Sequence, residues 1–223
     1  NAADTEFYCD DLAAVTGPWL DGIVLPKVET ADQLVAADAT ITALEAKHAM
    51  DAGAIDLLPI VETAKGLDAV SAIAASGTRV RRLSFGAVDF AKDLNMRLTM
   101  GEAELTPARA AIALASRVAG LDAPIDSVWV HYRDTDGLMA SAERVRDLGF
   151  QGKMCIHPDQ VAPVNDTFPP SDDEVAQAEV IVAAFEAAEA EGSASIQIDG
   201  FFVDYPVVEQ ARRTLALIKR IRG

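Results

Sequence analysis

The sequence is poor in cysteine, aromatic side chains, positive charge and long apolar runs, and each shortage excludes something. Only two cysteines occur in 223 residues, Cys9 and Cys155. They are too far apart for a metal pair, so neither a disulfide scaffold nor a zinc site is indicated, and reduced thiols in a cytoplasmic protein are the simplest account. Aromatic residues make up 6% of the chain, and its two tryptophans, Trp19 and Trp129, are expected to pack rather than to line a cofactor site. Lys and Arg number 19 against 35 Asp and Glu, a net charge of −16 that opposes attraction to a phosphate backbone. Nucleic acid is therefore not an expected partner. Charged residues interrupt every apolar stretch before the roughly 18 residues that a membrane span requires, so no membrane association is expected either. The opening Asn1-Ala2-Ala3-Asp4-Thr5-Glu6 has no basic region followed by an apolar one. A Gly-x-Gly-x-x-Gly turn and a Walker-type phosphate loop are also missing, which argues against the common nucleotide-binding sheets.

What is present is a chain that is 50% hydrophobic and 24% charged, enough to bury a substantial core. Apolar runs of strand length alternate with stretches of helical period, the pattern of repeated βα units on a parallel sheet. The runs are Gly22 to Val28, Ile55 to Val61, Val80 to Phe85, Ser127 to Tyr132 and Lys153 to Ile156. Helices are expected over about 31–51, 66–76, 107–119 and 138–148. Five such units do not close a barrel, whereas eight do. The expected fold is therefore α/β, a TIM (β/α)8 barrel whose first βα units are absent from this chain segment, occupying residues 1–170. Residues 171–223 read as a C-terminal extension: a long helix opened by the capping box Ser171-Asp172-Asp173-Glu174, a short strand pair within 195–203, and a terminal helix.

In parallel βα architectures, reactive groups sit at the C-terminal ends of strands. The second run ends in Glu62 and the third leads to Asp89. Carboxylates at adjacent strand ends can converge on one hard cation, and Mg²⁺ commonly takes one or two of them while keeping positions for water and substrate oxygens. The competing reading is that each satisfies a helix N-terminus. Small residues flank both, Ala64 and Gly66 in one case and Gly86 and Ala87 in the other. They would let backbone approach a ligand, with N–H groups near Gly86 to Val88 available to a developing oxyanion.

Five segments then carry a resemblance: Leu25-Pro26-Lys27-Val28-Glu29, Ile60-Val61-Glu62-Thr63-Ala64, Ser84-Phe85-Gly86-Ala87-Val88-Asp89-Phe90, Gly152-Lys153-Met154-Cys155-Ile156-His157-Pro158 and Val203-Asp204-Tyr205-Pro206. In this order they resemble the citrate lyase beta-subunit-like members of the HpcH/HpaI aldolase and citrate lyase family, related to malyl-CoA and citramalyl-CoA lyases. The resemblance implies a Mg²⁺-dependent barrel that cleaves or forms a carbon–carbon bond in a 3-hydroxyacyl-CoA thioester of malyl, citramalyl or citryl type. Alternatives are an aldolase acting on free oxoacids and a citryl-carrier-protein lyase subunit of a larger complex. It further implies Glu62 and Asp89 as metal ligands, and Gly86, Ala87, Val88, Ile156 and His157 at the substrate or CoA pocket. Asp204 would be a catalytic acid acting in the neighbouring subunit of a homotrimer or larger homo-oligomer. The family's first three strands, and the substrate-binding Arg at the end of the third, have no counterpart here, so a preceding segment is expected.

Other residues invite blander readings. Lys27 at a strand end is expected to be solvated or structurally paired, and His157-Pro158 to be a turn that positions backbone. His48 and His131 lack ligand spacing. Arg133 is expected to form a salt bridge with Asp134 or Asp136.

Overall fold

In the computed structural model, residues 1–198 and 200–222 are described, and they form two compact units, Asn1–Thr167 and Phe168–Gly223. The first unit opens with α1 (Tyr8–Val15) and is then built on a five-stranded sheet. Its strands are β1 (Gly22–Leu25), β2 (Asp56–Val61), β3 (Ser84–Phe85), β4 (Ile125–Asp126) and β5 (Gly152–Lys153). They pair in chain order and all in parallel, with Leu25 beside Pro59, Val61 beside Phe85, Ser84 beside Ile125 and Asp126 beside Lys153. Between them run α2 (Ala31–Lys47), α3 (Ala64–Asp68), α4 (Val70–Ala74), α5 (Ala87–Asp93), α6 (Thr106–Val118) and α7 (Thr135–Asp147), and α8 (Val161–Thr167) ends the unit. Parallel pairing places the C-terminal ends of all five strands along one edge of the sheet, where Glu62 follows β2 and Gly86 to Asp89 follow β3.

Local chemistry explains where elements start. Thr30 and Gln33 form a capping box that opens α2, whose residues Leu34, Ala37, Ile41 and Glu45 fall at helical spacing and are buried. The β2–α3 turn is capped by the Thr63 hydroxyl, which accepts from the Gly66 N–H at 3.0 Å. A Cβ on Gly66 would stand 2.5 Å from the Val28 carbonyl oxygen, so the turn is packed tightly against the end of β1.

The strands are shorter than the apolar runs suggest, and one is displaced. Regular pairing in the third run is confined to Ser84 and Phe85, with a lone bridge from Val80 to Leu57. The fourth strand lies at Ile125–Asp126, just before the expected 127–132. The reason is a buried acid: Asp126 is 0% exposed, bound by Arg109 of α6 through two hydrogen bonds of 2.9 Å and by the Lys153 ammonium of β5 at 2.5 Å. A pattern search for apolar residues passes over such a position. Trp129 is buried as expected, but Trp19 is 73% exposed and does not pack.

The second unit comprises α9 (Asp172–Ala190), the antiparallel pair β6 (Ile196–Ile198) and β7 (Phe201–Val203), and α10 (Tyr205–Arg222). Ser171 and Glu174 form the capping box of α9. Phe185, Val203 and Val208 make its core, with Ile181, Ile196 and Ile198 packed around them. Among the described residues no helix is long and apolar enough to cross a membrane.

Candidate active site

The site is assembled at the C-terminal ends of β1, β2 and β3. Glu62 is the first residue beyond β2 and is only 7% exposed. Because Thr63 caps α3, Glu62 is free of that task. Its Oε1 instead accepts a hydrogen bond of 2.9 Å from the backbone N–H of Lys27, beyond β1. Its Oε2 lies against Gly86, where a Cβ would come within 2.4 Å of that oxygen and 2.5 Å of the Glu62 Cβ. Only glycine admits the carboxylate there. Asp89, half-buried in the first turn of α5, is close enough for its charge to act on Glu62. Burial pushes the Glu62 carboxyl above its ordinary pKa; the Lys27 N–H counters this, the Asp89 charge adds to it, and the Lys27 ammonium opposes it.

Two carboxylates at adjacent strand ends, one of them buried and neither ion-paired with Lys or Arg among the described residues, are a donor set for a hard divalent cation. Among those residues no three His, Cys, Asp or Glu gather as a metal group. The pair is thus suited to a cation that completes its shell with water and substrate oxygens, and a divalent ion would offset both the burial of the Glu62 charge and its repulsion by Asp89. The residues present fit Mg²⁺.

Of the expected backbone donors, two are committed within the protein. The Gly86 N–H donates to the Val61 carbonyl at 3.0 Å, and the Ala87 N–H to the Ser127 hydroxyl at 2.9 Å. Both are corrections to the expectation of N–H groups open to an oxyanion: the first belongs to the backbone register joining β2 to β3, and the second ties α5 to the end of β4. Val88, in the same first turn of α5, is 41% exposed. A pocket of about 240 Å³ opens beside Ala87 and Val88, bounded across from them by Val128, Trp129 and His131 after β4.

Beyond β5, Ile156 is 55% exposed and its N–H donates to the Gln160 side chain at 2.9 Å, while Gln160 donates in turn to the Trp129 carbonyl at 2.9 Å. Gln160 thereby staples the ends of β4 and β5 together, a role that sequence reading missed and that only its 1% exposure would betray. His157 sits in a turn, its Nδ1 accepting from the Asp159 N–H at 3.2 Å and its ring 5.4 Å from that of Tyr132. Among the described residues Arg133 pairs with no carboxylate but lies over the Tyr132 ring at 5.2 Å, and Asp134 is engaged in capping α7 through the Gly137 N–H. Asp204 precedes α10 in the second unit, half-buried, with its carbonyl accepting from the Val208 N–H at 3.0 Å.

Comparison with known proteins agrees with this architecture. The family model described as HpcH/HpaI aldolase/citrate lyase matches residues 1–158. The citrate lyase subunit beta of Leuconostoc mesenteroides subsp. cremoris is 33% identical, over 97% of this chain and 72% of that protein. The L-malyl-CoA/beta-methylmalyl-CoA lyase of Cereibacter sphaeroides strain ATCC 17025 is 38% identical, over 95% of this chain and 72% of that one. The crystal structure of the protein CitE from Mycobacterium tuberculosis, in complex with magnesium, acetoacetate and coenzyme A, superposes with a TM-score of 0.77 at 27% identity, covering 97% of this chain and 75% of that one. A citrate lyase structure from Burkholderia xenovorans LB400 shares the fold with a TM-score of 0.82 at 22% identity, over 99% and 70% of the two chains. With its parallel strand ends, its paired carboxylates and these relatives, the chain belongs to the HpcH/HpaI aldolase/citrate lyase family and is a carbon–carbon lyase.

Proposed function

We propose that the chain is a Mg²⁺-dependent lyase that cleaves or forms a 3-hydroxyacyl-CoA thioester of malyl, citramalyl or citryl type. The observation that carries this reading is the Glu62–Asp89 pair: a buried carboxylate, pinned through one oxygen by the Lys27 N–H and pressed against Gly86 through the other, beside a second carboxylate. The relatives supply the substrate class, since the similar proteins include a malyl-CoA lyase and a structure with magnesium, acetoacetate and coenzyme A. The five strands, in sequential order, fit an arc of a (β/α)8 barrel, whereas a doubly wound sheet would reverse its order at a switch point.

When bound, Mg²⁺ supplies Lewis acidity and a template for the oxygens of the oxoacid. Glu62 and Asp89 hold the ion. Gly86 leaves room for the Glu62 carboxylate, and the Val88 amide, beside the pocket, faces the substrate oxygen on which charge develops. Ile156 and His157 line the thioester side of the mouth. Asp204 moves a proton to or from the acetyl-derived carbon in a neighbouring subunit. In the unit that carries Asp204, Phe201 is 59% and Phe202 62% exposed, an apolar surface suited to contact with another copy.

The reading is tested by incubating the protein with Mg²⁺, acetyl- or propionyl-CoA and a panel of small oxoacids, and following products by mass spectrometry. Condensation or cleavage of a CoA thioester that disappears with EDTA supports it. Turnover of free oxoacids alone would favour the aldolase alternative, and turnover only of a carrier-protein thioester would favour the citrate lyase subunit.

A further inference from the structure

Two hydrogen bonds join the segment that carries Glu62 to the segment that carries Asp89. Before Glu62, the Val61 carbonyl accepts from the N–H of Gly86, at the start of α5, at 3.0 Å. After it, the N–H of Ala64, the first residue of α3, donates to Asp93 Oδ2 at 2.8 Å. Asp93 is the last residue of α5, four positions beyond Asp89 and so on the same face of that helix, one turn on. The backbone from Val61 to Ala64, the backbone from Gly86 to Asp93 and these two bonds make one closed ring, with a carboxylate of the pair on each side of it. The first bond belongs to the register between β2 and β3. The second is a side chain reaching across 29 positions of sequence.

Asp93 serves neither its own helix nor the core. It is exposed, an acid is disfavoured at a helix C-terminus by the macrodipole, and Asp is a poor helix former. The start of α3 has a cap of its own, the Thr63 hydroxyl on the Gly66 N–H, and Ala64 is exposed, where water can serve its N–H. Nor is Asp93 a third ligand beside Glu62 and Asp89, since no three His, Cys, Asp or Glu gather as a metal group among the described residues. Phe90 and Ala91 bury the inner face of α5, but apolar packing is non-directional and does not fix the rotation of the helix. A hydrogen bond to a carboxylate is directional, and this one ends on the turn that carries Glu62. We propose that Asp93 is a positioning residue: its carboxylate clamps the far end of α5 to the turn after Glu62 and so sets the separation of Glu62 and Asp89 at which they hold a divalent ion. The inference rests on the function proposed above and adds to it what keeps the two ligands in register.

The test uses the whole protein. Mg²⁺ binding is followed calorimetrically, and Mn²⁺, which takes the same oxygen ligands, reports the geometry of the site by electron paramagnetic resonance. Asp93→Ala removes the acceptor at an exposed helix end where Ala is the better helix former, and Asp93→Asn keeps a carbonyl oxygen for the Ala64 N–H while losing the charge. Mg²⁺ affinity is expected to fall about tenfold or more in Asp93→Ala and to stay within about threefold of wild type in Asp93→Asn. The Mn²⁺ line shape should change in the first variant and match wild type in the second. A residue that serves only the fold gives another pattern, a lower melting temperature of the metal-free protein in Asp93→Ala with Mg²⁺ affinity and Mn²⁺ line shape unchanged. Affinity within about twofold of wild type in Asp93→Ala overturns the proposal, and so does an equal loss in Asp93→Asn, which would assign the effect to charge and not to the bond. Mg²⁺ binding that needs Glu62 but ignores Asp93→Ala sinks this inference alone, whereas Mg²⁺ binding indifferent to Glu62→Gln sinks the functional reading beneath it.

Discussion

Two groups of buried carboxylates lie in the first unit, and they differ in what neutralises them. Asp126 and Glu102 are 0% and 7% exposed and are met by the protein's own cations. Arg109 bridges the two, Lys153 closes on Asp126, and Ser141 and Arg144 donate to Glu102 at 2.6 and 3.2 Å. Burial would raise the Glu102 pKa, but Arg109 above all holds it below the ordinary range. Glu62 is as buried as Glu102, yet it receives one backbone N–H and a second carboxylate as neighbour, and its pKa moves up. Equal burial with opposite shifts separates a cluster neutralised by the protein's own cations from one that none of the described Lys or Arg side chains ion-pairs.

The largest expected effect breaks the comparison at Glu62. Glu62→Gln and Asp89→Asn should reduce Mg²⁺-dependent turnover by at least about 100-fold, since loss even of groups that merely support a metal ligand costs 10–100-fold. Removal of Mg²⁺ by EDTA should produce the same loss in the wild type. The thermal melt of the metal-free variants should match or exceed that of the wild type, because an uncompensated buried charge has been removed. Turnover that survives either substitution, or variants that unfold, would place Glu62 with the structural carboxylates instead.

The same change in the other cluster should act in reverse. Asp126→Asn leaves Arg109 and Lys153 buried without their shared counter-charge, and destabilisation of about 3–5 kcal/mol is expected by urea titration. The folded fraction should retain Mg²⁺ binding, because Asp126 reaches the active-site edge only through β4. Replacing Asp126, Arg109 and Lys153 together with apolar residues of similar size should cost less than Asp126→Asn alone. Equal losses would show that packing, rather than charge compensation, holds this region.

The contrast also explains what could be read from the residues. That Glu62 and Asp89 follow the second and third strands was legible because strand ends follow chain order: an apolar run, then an acid flanked by Gly or Ala. The boundary of β4 was not, since Asp126 looks like a loop residue until its partners are known, and those partners, Arg109 and Lys153, are 17 and 27 positions away. A separation of 31 positions likewise hid Gln160, whose carbonyl partner is Trp129. Backbone donors at Gly86 and Ala87 were misjudged for a related reason. Whether an N–H is free depends on residues of neighbouring strands, here Val61 and Ser127, which sequence order does not bring together.

A fourth buried carboxylate sharpens the distinction through pH. Glu45 of α2 is 0% exposed and lies toward the N-terminal ends of the strands, away from the candidate site. Burial by itself would raise its pKa, but hydrogen bonds from Arg79 and from the N–H groups of Gly53 and Ile55 outweigh this and hold it at about 2, against 4.5 unperturbed. Arg79 also pairs with Asp38 and donates to the Ile55 carbonyl at 2.9 Å, so the ionised carboxylate organises the whole α2–β2 connection. For an acid whose folded pKa lies below its unfolded value, the stabilisation is complete above the unfolded pKa and is lost as pH falls toward the folded one. Glu45→Gln should therefore cost up to about 3 kcal/mol at pH 7, from a shift of some 2.5 units at 1.36 kcal/mol each. The gap should stay constant down to about pH 5 and close progressively between pH 4.5 and 2. Urea unfolding of both proteins at pH 7, 4.5 and 3.5 measures it. A gap that persists undiminished at pH 3.5 would show that the side chain contributes through shape and neutral hydrogen bonds, and that its ionisation does not stabilise the fold.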